Sequence, residues 1–165
     1  MAHAPMDPGT GLFPRLLQDH ARLEERLKRL DEAAAAIGRN EQDPAALAQV
    51  AETLAFFGSA GARHEEHEEQ TLFPRLRPLS EFKQILSALE FQHRMTASEG
   101  RALAACVQTF APGRGTELRR LAYRFAEMQR GHALAEERAL FPLAATRLAP
   151  EVQAEMVREM VARGS

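Results

Sequence analysis

Tryptophan is absent from this 165-residue chain, and tyrosine and cysteine occur once each. A lone cysteine, Cys106, excludes an internal disulfide, fits a reducing cytosol, and is expected as a small core residue on a helix. Excess charge of one sign is missing too. The net charge is −2 with no basic run, which argues against a nucleic-acid surface. No apolar stretch approaches the roughly 18 residues needed to cross a bilayer. The start, "MAHAPMDPGTG", lacks the charged-then-apolar layout of a secretory signal. A cytoplasmic protein with neither nucleic acid nor membrane as partner is the expectation. Strand-like alternation is nowhere competitive.

What the chain has is alanine, leucine, glutamate and arginine, a composition that favours helix nearly throughout. The first periodic segment runs from about Leu12 to Ala36, with Leu16, His20, Leu23, Leu27 and Leu30 on one stripe and Gly38 as its stop. Asp43 caps a second helix that has Pro44 in its first turn. Its stripe is Leu47, Val50, Leu54, Phe57, Gly61, His64 and Glu68, and prolines 74 and 78 punctuate its end. A third helix begins near Ser80, its N-cap candidate, with Phe82, Ile85, Leu89, His93, Thr96, Gly100, Leu103 and Val107 aligned. Residues 111–116, "APGRGT", break the chain, and Thr116 can cap a fourth helix. Leu118, Leu121, Phe125, Met128, His132 and Glu136 lie on one face of it. A short amphipathic tail spans roughly Glu151 to Ala162. These patterns predict an all-α fold, an up-and-down four-helix bundle with a short C-terminal helix. They place a single domain over 1–165, with a flexible start (1–10), the bundle (11–148) and the last helix (150–163).

Each of the four stripes carries one histidine where a core residue belongs. A buried imidazole needs a partner for each nitrogen, and a shared metal site supplies one partner to all four rings at once. An internal repeat reinforces this. "HEEHEEQTLFP" (64–74) and "HALAEERALFP" (132–142) agree at the histidine, at both acids of the EE pair and at LFP. His64 and Glu68 are four residues apart, as are His132 and Glu136, so each pair aims at the same point from one helix face.

The candidate ligands are therefore His20, His64, Glu68, His93, His132 and Glu136. Four imidazoles and two carboxylates suit iron, zinc, manganese or copper better than calcium or magnesium. Two ions explain six ligands better than one, since each carboxylate can bridge while each ion takes two histidines. With a bridging oxo or hydroxo group, each ion is five-coordinate and keeps a position open for a small molecule. Glu66, His67 and Glu69 fall off the stripe and are expected on a solvated face, as is Glu137. Glu65 and Glu90 are candidate outer acceptors for His64 and His93. Other metal motifs fail on spacing: "HEEH" sets its histidines three apart rather than as H-E-x-x-H, and only Glu90–His93 offers the E-x-x-H of a ferritin-like site.

In "LLQDHARLEERL", "HEEHEEQTLFP", "LEFQH" and "HALAEERALFP" the chain resembles the hemerythrin-like, or HHE cation-binding, family of non-haem di-iron proteins. The resemblance covers nearly the whole length and implies two non-haem iron ions bridged by carboxylates and an oxo or hydroxo group, held by the six residues named. It departs from the oxygen carriers in having Ala97 where they place a further histidine. The activity implied is binding of dioxygen or nitric oxide at an open iron position, for sensing, scavenging or storage, with an electron donor as partner. Competing readings are a di-iron enzyme acting on peroxide or nitric oxide, and a role in iron-cluster repair or iron-dependent regulation.

Overall fold

The computed structural model describes residues 11–164, all of whose regular elements are helical; the expected flexible start (1–10) lies outside the described residues. Helix α1 is Leu12–Arg39. Helix α2 spans 44–76 and is continuous through two π turns, Phe57–Gly61 and Glu68–Leu72. A 3₁₀ turn, Ser80–Phe82, leads into α3, Lys83–Gln108. Helix α4 spans 115–147 and contains a π turn at Glu136–Leu140, and α5 is Pro150–Arg163.

Local chemistry sets several of these boundaries. The Asp43 carboxylate accepts from the amides of Ala45 (3.0 Å) and Ala46 (3.3 Å), and Pro44 fills the first-turn position that needs no donor. Gly38 does not stop α1: the helix runs one residue further, and the Asn40 amide closes on the Ala36 carbonyl. Neither Ser80 nor Thr116 caps with its side chain. Ser80 opens the 3₁₀ turn instead, and α4 begins one residue early, at Gly115. The connection between α3 and α4 turns at Gly113, whose φ of 91° is open to glycine at no steric cost. Its amide and that of Gly115 both donate to Glu41, tying this loop to the one between α1 and α2.

Two apolar clusters fill the interior. One gathers Leu12 and Leu16 of α1, Leu72 and Leu76 of α2, Leu86 and Leu89 of α3, and Leu140 and Ala144 of α4. The other gathers Leu30 and Ile37, Val50, Leu103 and Cys106, and Leu118 and Phe125. Cys106 is thus a core residue, as expected. Along α1 and α3 the chain passes from the first cluster to the second; along α2 and α4 it passes back. Successive long helices therefore run in opposite senses. Each places its histidine between the two clusters, so one polar layer is sealed above and below by hydrocarbon. Helix α5 seats Met156 and Met160 in the first cluster, where full burial is worth about 1.5–3 kcal/mol apiece. Its Arg163 donates to the Thr71 hydroxyl and its Glu159 pairs with Arg75, so α5 clasps the π turn that follows Glu68.

Candidate metal centre

Imidazole from all four long helices and carboxylate from α2 and α4 meet in the polar layer. His20, His64, His93 and His132 are buried, and Glu68 and Glu136 are wholly so. The rings pair through their inner nitrogens. His20 Nε2 lies 3.0 Å from His64 Nε2, and His93 Nε2 lies 3.0 Å from His132 Nε2. Each carboxylate spans both pairs. Glu68 places Oε1 3.3 Å from His64 Nε2 and Oε2 3.5 Å from His93 Nε2. Glu136 places Oε2 3.1 Å from His20 Nε2 and Oε1 3.3 Å from His132 Nε2. The result is two four-residue groups that could each hold a metal ion, His20–His64–Glu68–Glu136 and His93–His132–Glu68–Glu136, sharing both carboxylates.

The donor set fits cations on its own chemistry. All four carboxylate oxygens are fully buried without a hydrogen-bond partner. Burying a carboxylate that way is prohibitive unless a positive charge lies beside it. The outer nitrogens show how the rings are held. His20 Nδ1 faces Glu137 Oε1 at 2.8 Å, His93 Nδ1 faces Glu69 Oε1 at 2.7 Å, and His132 Nδ1 faces Gln92 Oε1 at 3.0 Å. His64 Nδ1 has Asp19 Oδ2 at 3.6 Å. An acceptor within 3.0 Å of Nδ1 on His20, His93 and His132 assigns the proton there and leaves Nε2 as an inward lone pair. Two such lone pairs at 3.0 Å repel each other unless a proton or a cation stands between them.

Protons take that place in the metal-free chain. Burial pulls the His93 pKa down, but the carboxylates of Glu68 and Glu69 outweigh it and raise it to about 9. His64 is likewise raised well above its ordinary value, with burial overcome by Glu68 and Asp19. His20 is raised against burial by Glu136 and Glu137. Glu68 is driven far below the carboxylate range despite complete burial, by His64 and His93. Without metal the centre is an imidazolium–carboxylate cluster, electrostatically a site built for positive charge.

The repeat noted in the sequence appears as a pseudo-twofold arrangement. Phe73, of the first LFP, stacks on His93 at 5.9 Å and 8°, and Phe141, of the second, stacks on His20 at 5.5 Å and 26°. The second acid of each EE pair serves the same neighbour as that phenylalanine: Glu69 holds His93 and Glu137 holds His20. The residues just before His20 and His93, Asp19 and Gln92, face His64 and His132 in return. Both repeats also carry a π turn that starts at the buried glutamate. Proline follows two residues beyond its end, where its missing amide is tolerated.

All six expected ligand residues are therefore brought together. Several neighbours depart from expectation. His67 is buried rather than solvated, with neither ring nitrogen partnered among the described residues, and burial lowers its pKa. Glu69 and Glu137 are partly exposed, but their carboxylates reach inward to the histidines instead of only facing water. Glu90 makes no contact with His93 and pairs with Arg77 at 2.5 Å. Glu65 forms no bond to His64; it is half-buried, and burial raises its pKa. Asp19 and Gln92 went unnoticed in the sequence, although each directly precedes a stripe histidine.

Residues 12–144 match the hemerythrin HHE cation binding domain, and the chain belongs to that family. No curated protein and no solved structure matches the chain significantly. Cation binding is thus the family's property, and the buried histidine–glutamate centre is compatible with it. No helix among the described residues is long and apolar enough to cross a membrane.

Proposed function

We propose that this hemerythrin-family chain is an up-and-down four-helix bundle, with α5 as a short added helix, that holds two iron ions and binds dioxygen or nitric oxide. His20, His64, Glu68, His93, His132 and Glu136 would hold the pair, the two carboxylates bridging it. The observation that carries this reading is the sharing of both carboxylates between two histidine pairs, with all four carboxylate oxygens buried and unpartnered. A single ion would leave two of those oxygens bare. A bound iron pair supplies reversible one-electron changes at each ion and an open coordination position for a diatomic ligand.

The chain's own residues supply everything around that chemistry. Glu137, Glu69 and Gln92 hold protons on the outer nitrogens and so keep Nε2 of each ring pointed inward. Phe73 and Phe141 hold the ring planes. The apolar clusters on either side exclude bulk water, which slows loss of a bound ligand and preserves electrostatic strength in the layer. Sensing, scavenging or storage in the cytoplasm follows, with an electron donor returning the iron to its reduced state.

Metal content per chain on freshly purified, tag-free protein is the deciding experiment. About two irons per chain supports the shared-carboxylate centre, and nitric oxide added to the reduced protein should then give an iron–nitrosyl absorption band. One zinc, or little metal after growth in ample iron, would sink the proposal.

A further inference from the structure

Beside the centre lies a void of about 30 Å³, bordered by His20, His64 and His132 and by Phe57, Glu65 and Gln129. It has room for a molecule the size of water or a diatomic. The last three of those residues also border a second, larger recess of about 320 Å³ that opens at the surface between α2, α3 and α4. Phe57, Glu65 and Gln129 are thus the wall common to both. The rest of the recess is largely hydrocarbon, contributed by Leu54, Ala97, Ala104 and Phe125.

Small residues make room for the two rings that flank this passage. The Phe57 ring meets Phe125 edge-on at 5.0 Å. A Cβ added at Gly61 would come within 3.0 Å of Phe57 Cδ1, and one added at Gly100 within 3.2 Å of Phe125 Cε2. The two rings occupy space that those glycines leave. The void's other border sets Leu23, Leu27 and Ala133 beside the charged Glu24 and Arg130. Arg130 lines it and is held to Glu24 at 3.0 Å and to Asp31 at 2.7 Å, so opening that side means parting a partly buried ion-pair network. Uncharged diatomics partition into hydrocarbon and gain nothing from separating ion pairs.

We propose that small uncharged molecules reach the centre through the apolar recess between α2, α3 and α4, with Phe57 as the inner partition and Ala97 and Gly100 setting the bore. This rests on the reading of the centre as a gas-binding iron site. It adds the route and a basis for selection: neutral diatomics pass, while charged or bulkier molecules are slowed.

Ala97 is exposed, so Ala97→Trp fills the recess from its rim without disturbing the core. In crystals of the purified protein pressurised with xenon, a xenon atom is expected in the recess of the wild type and not in that of Ala97→Trp. In stopped-flow mixing of nitric oxide with the reduced, iron-loaded protein, Ala97→Trp should slow association by about tenfold. Dissociation should slow in proportion, and iron content and melting temperature should not change. Arg130→Gln should leave the association rate as it is. An empty recess under xenon overturns the route. So does an Ala97→Trp rate equal to wild type, or faster association in Arg130→Gln, which would assign passage to the charged side. Wild-type protein that takes up no iron would sink the parent reading and the route with it, whereas failure of the route alone leaves iron content and nitric oxide affinity intact.

Discussion

Raising the pH of the metal-free protein from 6.5 to 9 should weaken it. His93 ionises near 6.5 when unfolded and at about 9 in the fold. A histidine whose folded pKa is raised gives its full stabilisation below the unfolded value and loses it as pH climbs through the folded one. The interval of about 2.5 units corresponds to about 3 kcal/mol, and His93 is buried, so solvent screening subtracts little. His64 and His20 shift in the same direction and share the same carboxylates. They reinforce the sign without adding in full. For a domain of this size the loss corresponds to a fall in melting temperature of about 6–12 °C.

No group of opposite sign masks the effect in this window. The lowered pKa of His67 gives stability that is present above 6.5 and lost as pH falls below it. The lowered pKa of Glu68 matters only below 4.5. Bound metal removes the slope, because ligated nitrogens carry no proton to lose. Calorimetric melts of chelator-stripped and iron-loaded protein at pH 6.5, 7.5, 8.5 and 9 test this directly. A stripped protein whose melting temperature stays level or rises across that range would refute the imidazolium–carboxylate account of the metal-free centre.

Four further outcomes are expected. Glu68→Ala and His132→Ala should each reduce iron per chain by at least one ion, measured by elemental analysis, while His67→Ala retains both. At pH 7, chelation should lower the melting temperature, because the buried carboxylates exchange a fixed cation pair for a proton cluster; identical melts with and without chelator would contradict this. Glu69→Ala and Glu137→Ala remove the acceptors of His93 and His20 and should weaken metal affinity by about 10–100-fold in competition with a chromophoric chelator. Deleting Gln70 removes the one residue that the π turn of α2 absorbs, so a regular helix keeps Phe73 and Leu76 on the core face and the deletion protein should retain its cooperative melt, whereas loss of that melt would contradict this account of the turn.

The centre was legible because its signals were local and repeated. Histidine and glutamate four apart on an amphipathic helix point one way wherever the helix packs, and two copies of the pattern specify two arms of one site. The single histidines of α1 and α3 were legible only because they interrupt apolar stripes, and the helices were legible from period and composition. What failed depended on approach between helices. Glu69 and Glu137 stand beside the stripe on their own helices, and only the neighbouring helix brings His93 and His20 to them. Glu90 has the right spacing from His93 but points to Arg77 instead. Helix starts at Ser80 and Thr116 were misjudged because a hydroxyl caps only from a residue that is itself extended, whereas Leu79 takes that place ahead of a 3₁₀ turn and Thr116 already lies inside α4.

The two repeats expose a rule that a plain helical wheel cannot supply. In a regular α-helix, positions four apart drift by about 40° per step, so twelve residues of such steps end about 120° from the start. Yet His64, Glu68, Leu72 and Leu76 are all buried, as are His132, Glu136, Leu140 and Ala144. The π turn inserted after each glutamate absorbs one residue and brings the twelfth back to within about 20° of the first. A strict period of four running from ligand into hydrocarbon is therefore a sequence signal for a π turn. Read that way, the repeated histidine–glutamate–leucine spacing shows why both segments carry LFP. The turn re-aims the helix so that the same face that offers a carboxylate to the centre also delivers the phenylalanine that stacks on the neighbouring histidine. The ligands and the apolar seal are thus set by one backbone device used twice, and a change of register in either copy should disturb both together.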